Sequence, residues 1–183
     1  MNGIKSDAGV FVISKLKVPD KLFNSICDVV SFSIFHKSEY FNLNLSIESS
    51  AFNSLALASS LVRPSQKSIA LVGDAGFLMR VSELETAARL KLSPVIIIFD
   101  DGTLGMIRIK QRAKEYAREG VDLAQTDFVR LAQSFGGIGW EVRTLEEFDT
   151  AFEKALSSDK LTVIDARLDP DVYASHIRYI RGY

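Results

Sequence analysis

Two short apolar runs, each followed by aspartate and glycine, constrain the fold of this 183-residue chain most strongly. The runs are residues 69–72 and 95–99, and both are rich in β-branched side chains. Continuous apolar runs of this length are typical of strands buried on both faces of a parallel sheet. The segment between them, residues 77–91, has apolar side chains at helical spacing. The pattern therefore predicts a strand–helix–strand unit.

The two acidic turns are expected at the carboxyl ends of neighbouring parallel strands, where open α/β sheets bind ligands. Asp74 and Asp101 are 27 residues apart (101 − 74), about one βαβ unit, so both side chains can reach one point. Carboxylate and carbonyl oxygens suit Mg²⁺, which often also contacts substrate phosphates. Gly76 opens the predicted helix, whose N-terminal amides favour an anion. The alternative is that both aspartates only cap helices or turns.

The acidic turns resemble the motifs of thiamine-diphosphate-dependent enzymes. Residues 73–75 (Gly-Asp-Ala) and 100–101 (Asp-Asp) stand where that family has Gly-Asp-Gly and, some two dozen residues later, Asn-Asn. Residues 102–108 and 163–170 resemble the acetolactate-synthase group in particular, and the similarity extends from about residue 63 to residue 170. The resemblance implies a three-layer α/β/α fold with a central, mostly parallel sheet.

The resemblance also implies a cofactor site for thiamine diphosphate and Mg²⁺. The metal would be held by Asp74, Asp101 and the backbone carbonyl of Thr103. Ala75 replaces a family glycine, and Asp101 replaces an asparagine, which adds a negative charge that should strengthen metal binding and weaken diphosphate binding. The implied cofactor-binding residues are Gly73, Asp74, Ala75, Gly76, Asp101, Thr103, Leu104, Gly105 and Met106.

Residues 1–62 diverge from the family pattern. No glycine occurs between Gly9 and Gly73, whereas the family has a glycine-rich helix entry beneath the bent cofactor, where residues 48–53 stand. Strands are nevertheless expected near residues 9–13 and 29–35. A helix is expected within residues 49–61.

The rest of the chain continues the alternation of helices and strands. We expect Arg108 and its basic neighbours to face water, with attraction of an anionic substrate by Arg108 or Lys110 as the alternative. The predicted elements are a helix over 104–119 ended by Gly120, a helix over 128–135 capped by Thr126 or Asp127, a strand over 138–142, a helix opened by a capping box at 144–147 and ending near 156, and a strand over 161–166.

Composition excludes several functional classes. A net charge of −1 without a basic stripe argues against a nucleic-acid partner. No apolar run of 18 residues and no signal peptide occur, so we expect no membrane partner and a cytoplasmic location. The single cysteine, Cys27, leaves no internal disulfide. The length predicts one domain, residues 1–183.

The resemblance implies the diphosphate-binding half of an enzyme that decarboxylates or ligates a small 2-oxoacid. In the family, a glutamate on a separate pyrimidine-binding domain activates the cofactor. The 183 residues leave no room for that domain, and Glu48, Glu83 and Glu85 are not placed to replace the glutamate. We therefore expect a homodimer or a separate pyrimidine-domain subunit, and no activity from the chain alone. The hypotheses are half of a split enzyme, a fragment of a longer chain, or a non-catalytic relic acting as an interaction module.

Overall fold

The computed structural model describes residues 43–45 and 52–171, with side chains from residue 53 onward. The strands predicted at 9–13 and 29–35, together with Cys27 and Glu48, lie outside the described residues. The elements are β1 (Leu43–Leu45), α1 (Phe52–Val62), β2 (Ile69–Gly73), α2 (Asp74–Leu78), α3 (Glu83–Arg89), β3 (Val95–Asp100), α4 (Gly105–Ala113), α5 (Phe128–Ser134), β4 (Ile138–Val142), α6 (Leu145–Ser157) and β5 (Thr162–Arg167).

The described strands form one five-stranded sheet in the order β1-β2-β3-β5-β4, and every neighbouring pair is parallel. Strand side chains alternate between two apolar layers, as the pleat requires. One layer packs against α1, α3 and α5, and includes Ile96 and Ile98. The other packs against α6, and includes Ile97 and Phe99. The predicted three-layer α/β/α architecture is therefore confirmed.

The strands and the later helices agree closely with the predicted pattern. The strand over 138–142 is confirmed, and β5 begins and ends one residue later than predicted. The Asp127 side chain caps α5 by accepting a hydrogen bond from the Arg130 amide. Thr144 and Glu147 form the predicted capping box at the start of α6.

Two predicted helices are wrong in their extent. The helix expected over 77–91 is divided into α2 and α3, because amides at 80 and 83 bond to carbonyls three residues back and tighten the chain into 3₁₀-type turns. The helix expected over 104–119 ends at Ala113, and Glu115 takes a left-handed φ of 54°. Residues 112–120 are all exposed, so no apolar face stabilises further helix there.

No helix in the described part of the chain is long and apolar enough to cross a membrane.

A glycine in β4 permits the close approach of α5, and this contact can be tested. A Cβ at Gly139 would lie 2.5 Å from the Val129 Cα and 2.7 Å from the Val129 carbonyl oxygen. Because both atoms are backbone, we expect Gly139→Ala to lower the free energy of unfolding by about 3 kcal/mol or more in urea titrations. Gly120→Asn is the control: the site is open, with a φ of +65° that Asn tolerates. Equal stabilities of the two variants would contradict the prediction.

Candidate functional site

The two acidic turns meet at one edge of the sheet, as the sequence predicted. β2 and β3 are parallel neighbours with Gly73 opposite Phe99. Asp74 directly follows β2 as the first residue of α2, and Asp100 is the last residue of β3. Both side chains are about 95% buried, since each residue is only 5% exposed. The carboxyl ends of these strands therefore carry a buried acidic cluster.

One backbone amide joins the two turns. The Gly102 N–H donates to Asp74 Oδ2 at 2.8 Å and to Asp100 Oδ1 at 2.9 Å. The other Asp74 oxygen, Oδ1, accepts a hydrogen bond from the Ala75 amide at 2.6 Å. Asp74 therefore does stabilise turns, as the alternative interpretation held, and it binds the amide of Ala75, one of the implied cofactor-binding residues.

Asp101 shapes the entry into α4. Its Oδ1 accepts hydrogen bonds from the amide and the hydroxyl of Thr103, both at 2.8 Å. Its Oδ2 lies against the first turn of the helix, since a Cβ at Gly105 would be 3.0 Å from this oxygen. A side chain at position 105 would press on that oxygen, so residues 101–106 form a compact turn with one carboxylate oxygen directed at the helix start.

The clustered carboxylates disfavour their own ionisation. Burial, and then the nearby Asp101 and Asp100 charges, raise the pKa of Asp74 to about 7, against the lowering effect of its hydrogen bond from Ala75. Burial also raises the pKa of Asp101, although Thr103 and the Arg108 charge oppose that shift. A group of carboxylates held in this way is stabilised by a bound cation.

An arginine on β5 faces this cluster. Arg167 is the register partner of Asp100 across the β3–β5 pair, and its Nη1 binds the Asp100 carboxylate. Its Nη2 lies 3.0 Å from Asp165 Oδ2 and 3.2 Å from Glu141 Oε2. Glu141 Oε1 in turn pairs with Arg143 at 2.9 Å. Sequence reasoning missed this network, and its only signal was two charges within the buried strand 162–167.

A cavity of about 310 Å³ lies beside the cluster at the same edge. It separates the acidic turns from the loop 123–126 and the start of α5. Among the predicted site residues, Asp74 and Asp101 contribute to its wall. The others lie in the same turns: Gly73, Ala75 and Gly76 at the β2–α2 junction, and Thr103, Leu104, Gly105 and Met106 at the entry to α4. The cavity lining is Asp74, Leu78, Asp100, Asp101, Gly102, Leu123, Ala124, Gln125, Thr126, Phe128, Arg143, Arg167 and Leu168.

Three other sequence candidates have structural partners. The expectation that Arg108 faces water is wrong: its side chain is 15% exposed, and Nη2 binds Asp171 at 2.6 Å. Glu83 accepts a hydrogen bond from the Ser54 hydroxyl at 2.8 Å, which links α3 to α1. Glu85 pairs with Arg89 one turn along α3. Both glutamates therefore make structural contacts within or between helices.

The donor set fits a hard cation such as Mg²⁺, because the available groups are carboxylate and carbonyl oxygens. In the described part of the chain, no group of three or more His, Cys, Asp or Glu side chains has the arrangement of a metal site. The side chains therefore supply at most part of a coordination shell. Such a shell suits an ion that also takes oxygens from a backbone carbonyl and a phosphate ligand.

Comparison with known proteins identifies the family to which this chain belongs. The model of the thiamine pyrophosphate enzyme C-terminal TPP binding domain matches residues 41–166. Thiamine pyrophosphate (TPP) is another name for thiamine diphosphate. The chain therefore belongs to this family of TPP-binding domains, and the resemblance inferred from the acidic turns is confirmed.

Relatives within the family include acetolactate synthases and decarboxylases. The chain is 34% identical over 114 residues to acetolactate synthase from Bacillus subtilis (strain 168), covering 62% of this chain and 20% of that protein. It is 32% identical over 117 residues to a probable acetolactate synthase large subunit from Methanococcus aeolicus, covering 63% of this chain. The chain thus spans about a fifth of the length of these relatives.

A solved structure supports the same assignment. The thiamine diphosphate-dependent 4-hydroxybenzoylformate decarboxylase of Rhodococcus jostii RHA1 superposes with a TM-score of 0.62 at 34% identity. The match covers 66% of this chain and 23% of the decarboxylase. The shared part is therefore one domain of that longer enzyme.

The buried Asp165 predicts a pH dependence of stability. It is fully buried, and burial raises its pKa from 3.8 to about 7, with Arg167 opposing and Asp100 and Glu141 adding to the shift. The folded chain thus holds a proton that the unfolded chain loses near pH 4, so stability falls as the pH rises to about 7. We expect Asp165→Asn to remove up to about 1.4 kcal/mol per pH unit of this decline.

Urea titrations at several pH values between about 4.5 and about 8 would measure the slope. Glu146→Gln, on the exposed side of α6, is the matched control and should keep the wild-type slope. Parallel curves for the Asp165→Asn variant and the wild type would contradict the prediction.

Proposed function

We propose that this domain binds the diphosphate end of thiamine diphosphate through Mg²⁺, as part of an acetolactate-synthase-like enzyme that decarboxylates or ligates a small 2-oxoacid. The observation that carries the proposal is the convergence of Asp74 and Asp101 at neighbouring strand ends. The family match over residues 41–166 and the acetolactate-synthase relatives support it.

Asp74, Asp101 and the carbonyl of Thr103 would hold the metal. A carboxylate oxygen has two lone pairs, so Asp74 can keep its amide hydrogen bonds and still ligate a cation. Asp101 Oδ1 is occupied by Thr103, which leaves Oδ2 as the freer oxygen. These residues would hold Mg²⁺ next to the diphosphate, and the ion would supply positive charge that offsets the negative charges of both.

Thiamine diphosphate supplies the carbanion-stabilising group for 2-oxoacid chemistry when it is bound. The described residues contribute to its anchoring and not to its activation, because Glu83 and Glu85 are both engaged in structural contacts. We therefore propose that a pyrimidine-binding domain, in another part of the protein or in a partner, supplies the activating acid.

The edge that carries the site also has apolar surface available for such a partner. Met79, which follows α2, is 69% exposed, and Ile107 in the first turn of α4 is 50% exposed. Interaction surfaces are marked by contiguous apolar patches, and these two side chains would form part of such a patch. We propose that they contact either a second copy of the chain or a pyrimidine-domain subunit.

The metal site predicts cofactor binding that depends on Mg²⁺. Isothermal titration of the protein with thiamine diphosphate should give binding with Mg²⁺ and none with excess chelator. Asp74→Asn removes the ligand charge and keeps only one of the two oxygens that accept from the Ala75 and Gly102 amides. It should weaken binding about tenfold or more, as is typical when a metal's coordination is disturbed.

The exposed Asp149→Asn variant is the control for binding, since Asp149 lies on α6, which packs on the opposite layer of the sheet. It should bind the cofactor as the wild type does. Equal binding with and without Mg²⁺, or no binding at millimolar cofactor, would refute the proposal and favour a non-catalytic interaction module.

The partner proposal predicts an inactive but associating chain. With Mg²⁺ and thiamine diphosphate, the purified protein should release no carbon dioxide from pyruvate, because Glu83 and Glu85 are engaged in structural contacts and the activating acid is proposed to come from a pyrimidine-binding domain. Sedimentation should show a dimer or a larger species. Carbon dioxide release that disappears in the Asp74→Asn variant would show instead that this chain, or an identical copy, provides the acid. A strict monomer would contradict the proposed association.

A further inference from the structure

We propose that Arg167 sets the net charge of the acidic edge, so that the site prefers a metal–diphosphate pair over a bare divalent cation. Arg167 would thus influence, through its charge, which ligand the site accepts. The inference rests on the proposed function, because it concerns the same acidic turns.

The first step is the position of the arginine. Arg167 ends β5 directly opposite Asp100, the residue before the proposed ligand Asp101. Its Nη1 holds Asp100 Oδ2, while Asp100 Oδ1 accepts the Gly102 amide. Arg167 is therefore linked to the turn of Gly102 and Thr103 through a single side chain.

The second step is burial. The Arg167 side chain is 18% exposed and that of Asp100 is 5% exposed, so solvent screens this pair poorly. Charges in such surroundings act on each other more strongly than surface charges do. The state of the pair should therefore be felt at Asp74, whose carboxylate shares the Gly102 amide with Asp100.

The third step is the sum of charges. Three carboxylates meet at this edge: Asp74, Asp100 and Asp101. Arg167 offsets Asp100, so that at most two negative charges remain at this edge, those of the proposed metal ligands Asp74 and Asp101. Without Arg167, the third negative charge would attract a bare cation more strongly and repel a diphosphate. The family resemblance places asparagine at positions 100 and 101, so this chain has a particular need for the compensation.

The other acidic neighbours of Arg167, Glu141 and Asp165, do not cancel the positive charge that it presents to Asp100. Glu141 has a second cation, Arg143, at 2.9 Å. Asp165 is fully buried and its oxygens have no geometrically sound hydrogen bond in the described region, although Oδ2 lies 3.0 Å from Arg167. Because burial raises the pKa of Asp165 to about 7, this group carries less than a full charge near neutral pH.

Two binding measurements test the proposal, and the affinities that they measure are expected to change in opposite directions. Mn²⁺ alone, as a stand-in for Mg²⁺, is titrated and the free ion is followed by electron paramagnetic resonance. Thiamine diphosphate is titrated separately by calorimetry at saturating Mg²⁺. For Arg167→Met we expect Mn²⁺ to bind about threefold or more tighter, and thiamine diphosphate to bind about tenfold weaker.

Asp100→Asn provides the mirror experiment. It removes the charge that Arg167 offsets but keeps an oxygen for the Gly102 amide. Mn²⁺ should then bind more weakly and thiamine diphosphate more tightly. This variant also keeps the proposal testable if Arg167→Met does not fold, as loss of the cation beside buried carboxylates could cause.

Arg167→Lys retains the charge and should restore most of both affinities, whereas Arg130→Met is the control. Arg130 has an 86% exposed side chain that pairs with Asp127, and its loss should change neither affinity. Both affinities of Arg167→Met falling together, or neither changing, would overturn the proposal by showing a purely structural role. If the wild type binds no thiamine diphosphate, the proposed function fails, while the two Mn²⁺ titrations still decide the charge effect.

Discussion

The Gly102 amide is the contact on which the site depends, because its single N–H is shared by Asp74 from the first turn and Asp100 from the second. The parallel pairing of β2 and β3 brings the strand ends together, and this shared hydrogen bond fixes how the two turns face each other. Asp101 is directed towards α4 as a result, with Thr103 holding one of its oxygens. Backbone geometry thus decides which carboxylate oxygens are available to a ligand.

Holding the carboxylates of Asp74, Asp100 and Asp101 close together in a buried place has an energetic cost. Burial disfavours their charged forms and raises the pKa values of Asp74 and Asp101. Several groups offset part of that cost: the amides of Ala75 and Gly102, the Thr103 hydroxyl and the Arg167 guanidinium. The offset is incomplete, since the pKa values of Asp74 and Asp101 stay raised, and the site is therefore electrostatically suited to a cation. A bound Mg²⁺ would remove the remaining repulsion, so metal binding and folding stability should be coupled at this edge.

Sequence periodicity was sufficient to predict β2, β3 and the acidic turns, because strands of this kind are defined by local apolar runs. The capping box of Thr144 and Glu147 was equally local. The ends of the helices were less predictable: the helix that stops at Ala113 has good helix formers beyond it, but nothing there packs against the sheet. The Arg167 network could not be predicted from the sequence. It joins residues 100, 141, 165 and 167, which only the strand order brings together.

That strand order is itself part of the chemistry. β5 lies between β3 and β4 in the sheet, although β4 precedes it in the chain. The crossover places Arg167 beside Asp100 on one side and brings Glu141 within reach on the other. If β4 lay next to β3, the last residues of β4 would border the acidic turns, and that strand brings Glu141 as a further negative charge. The topology therefore supplies the positive charge at the one position where two consecutive aspartates require it.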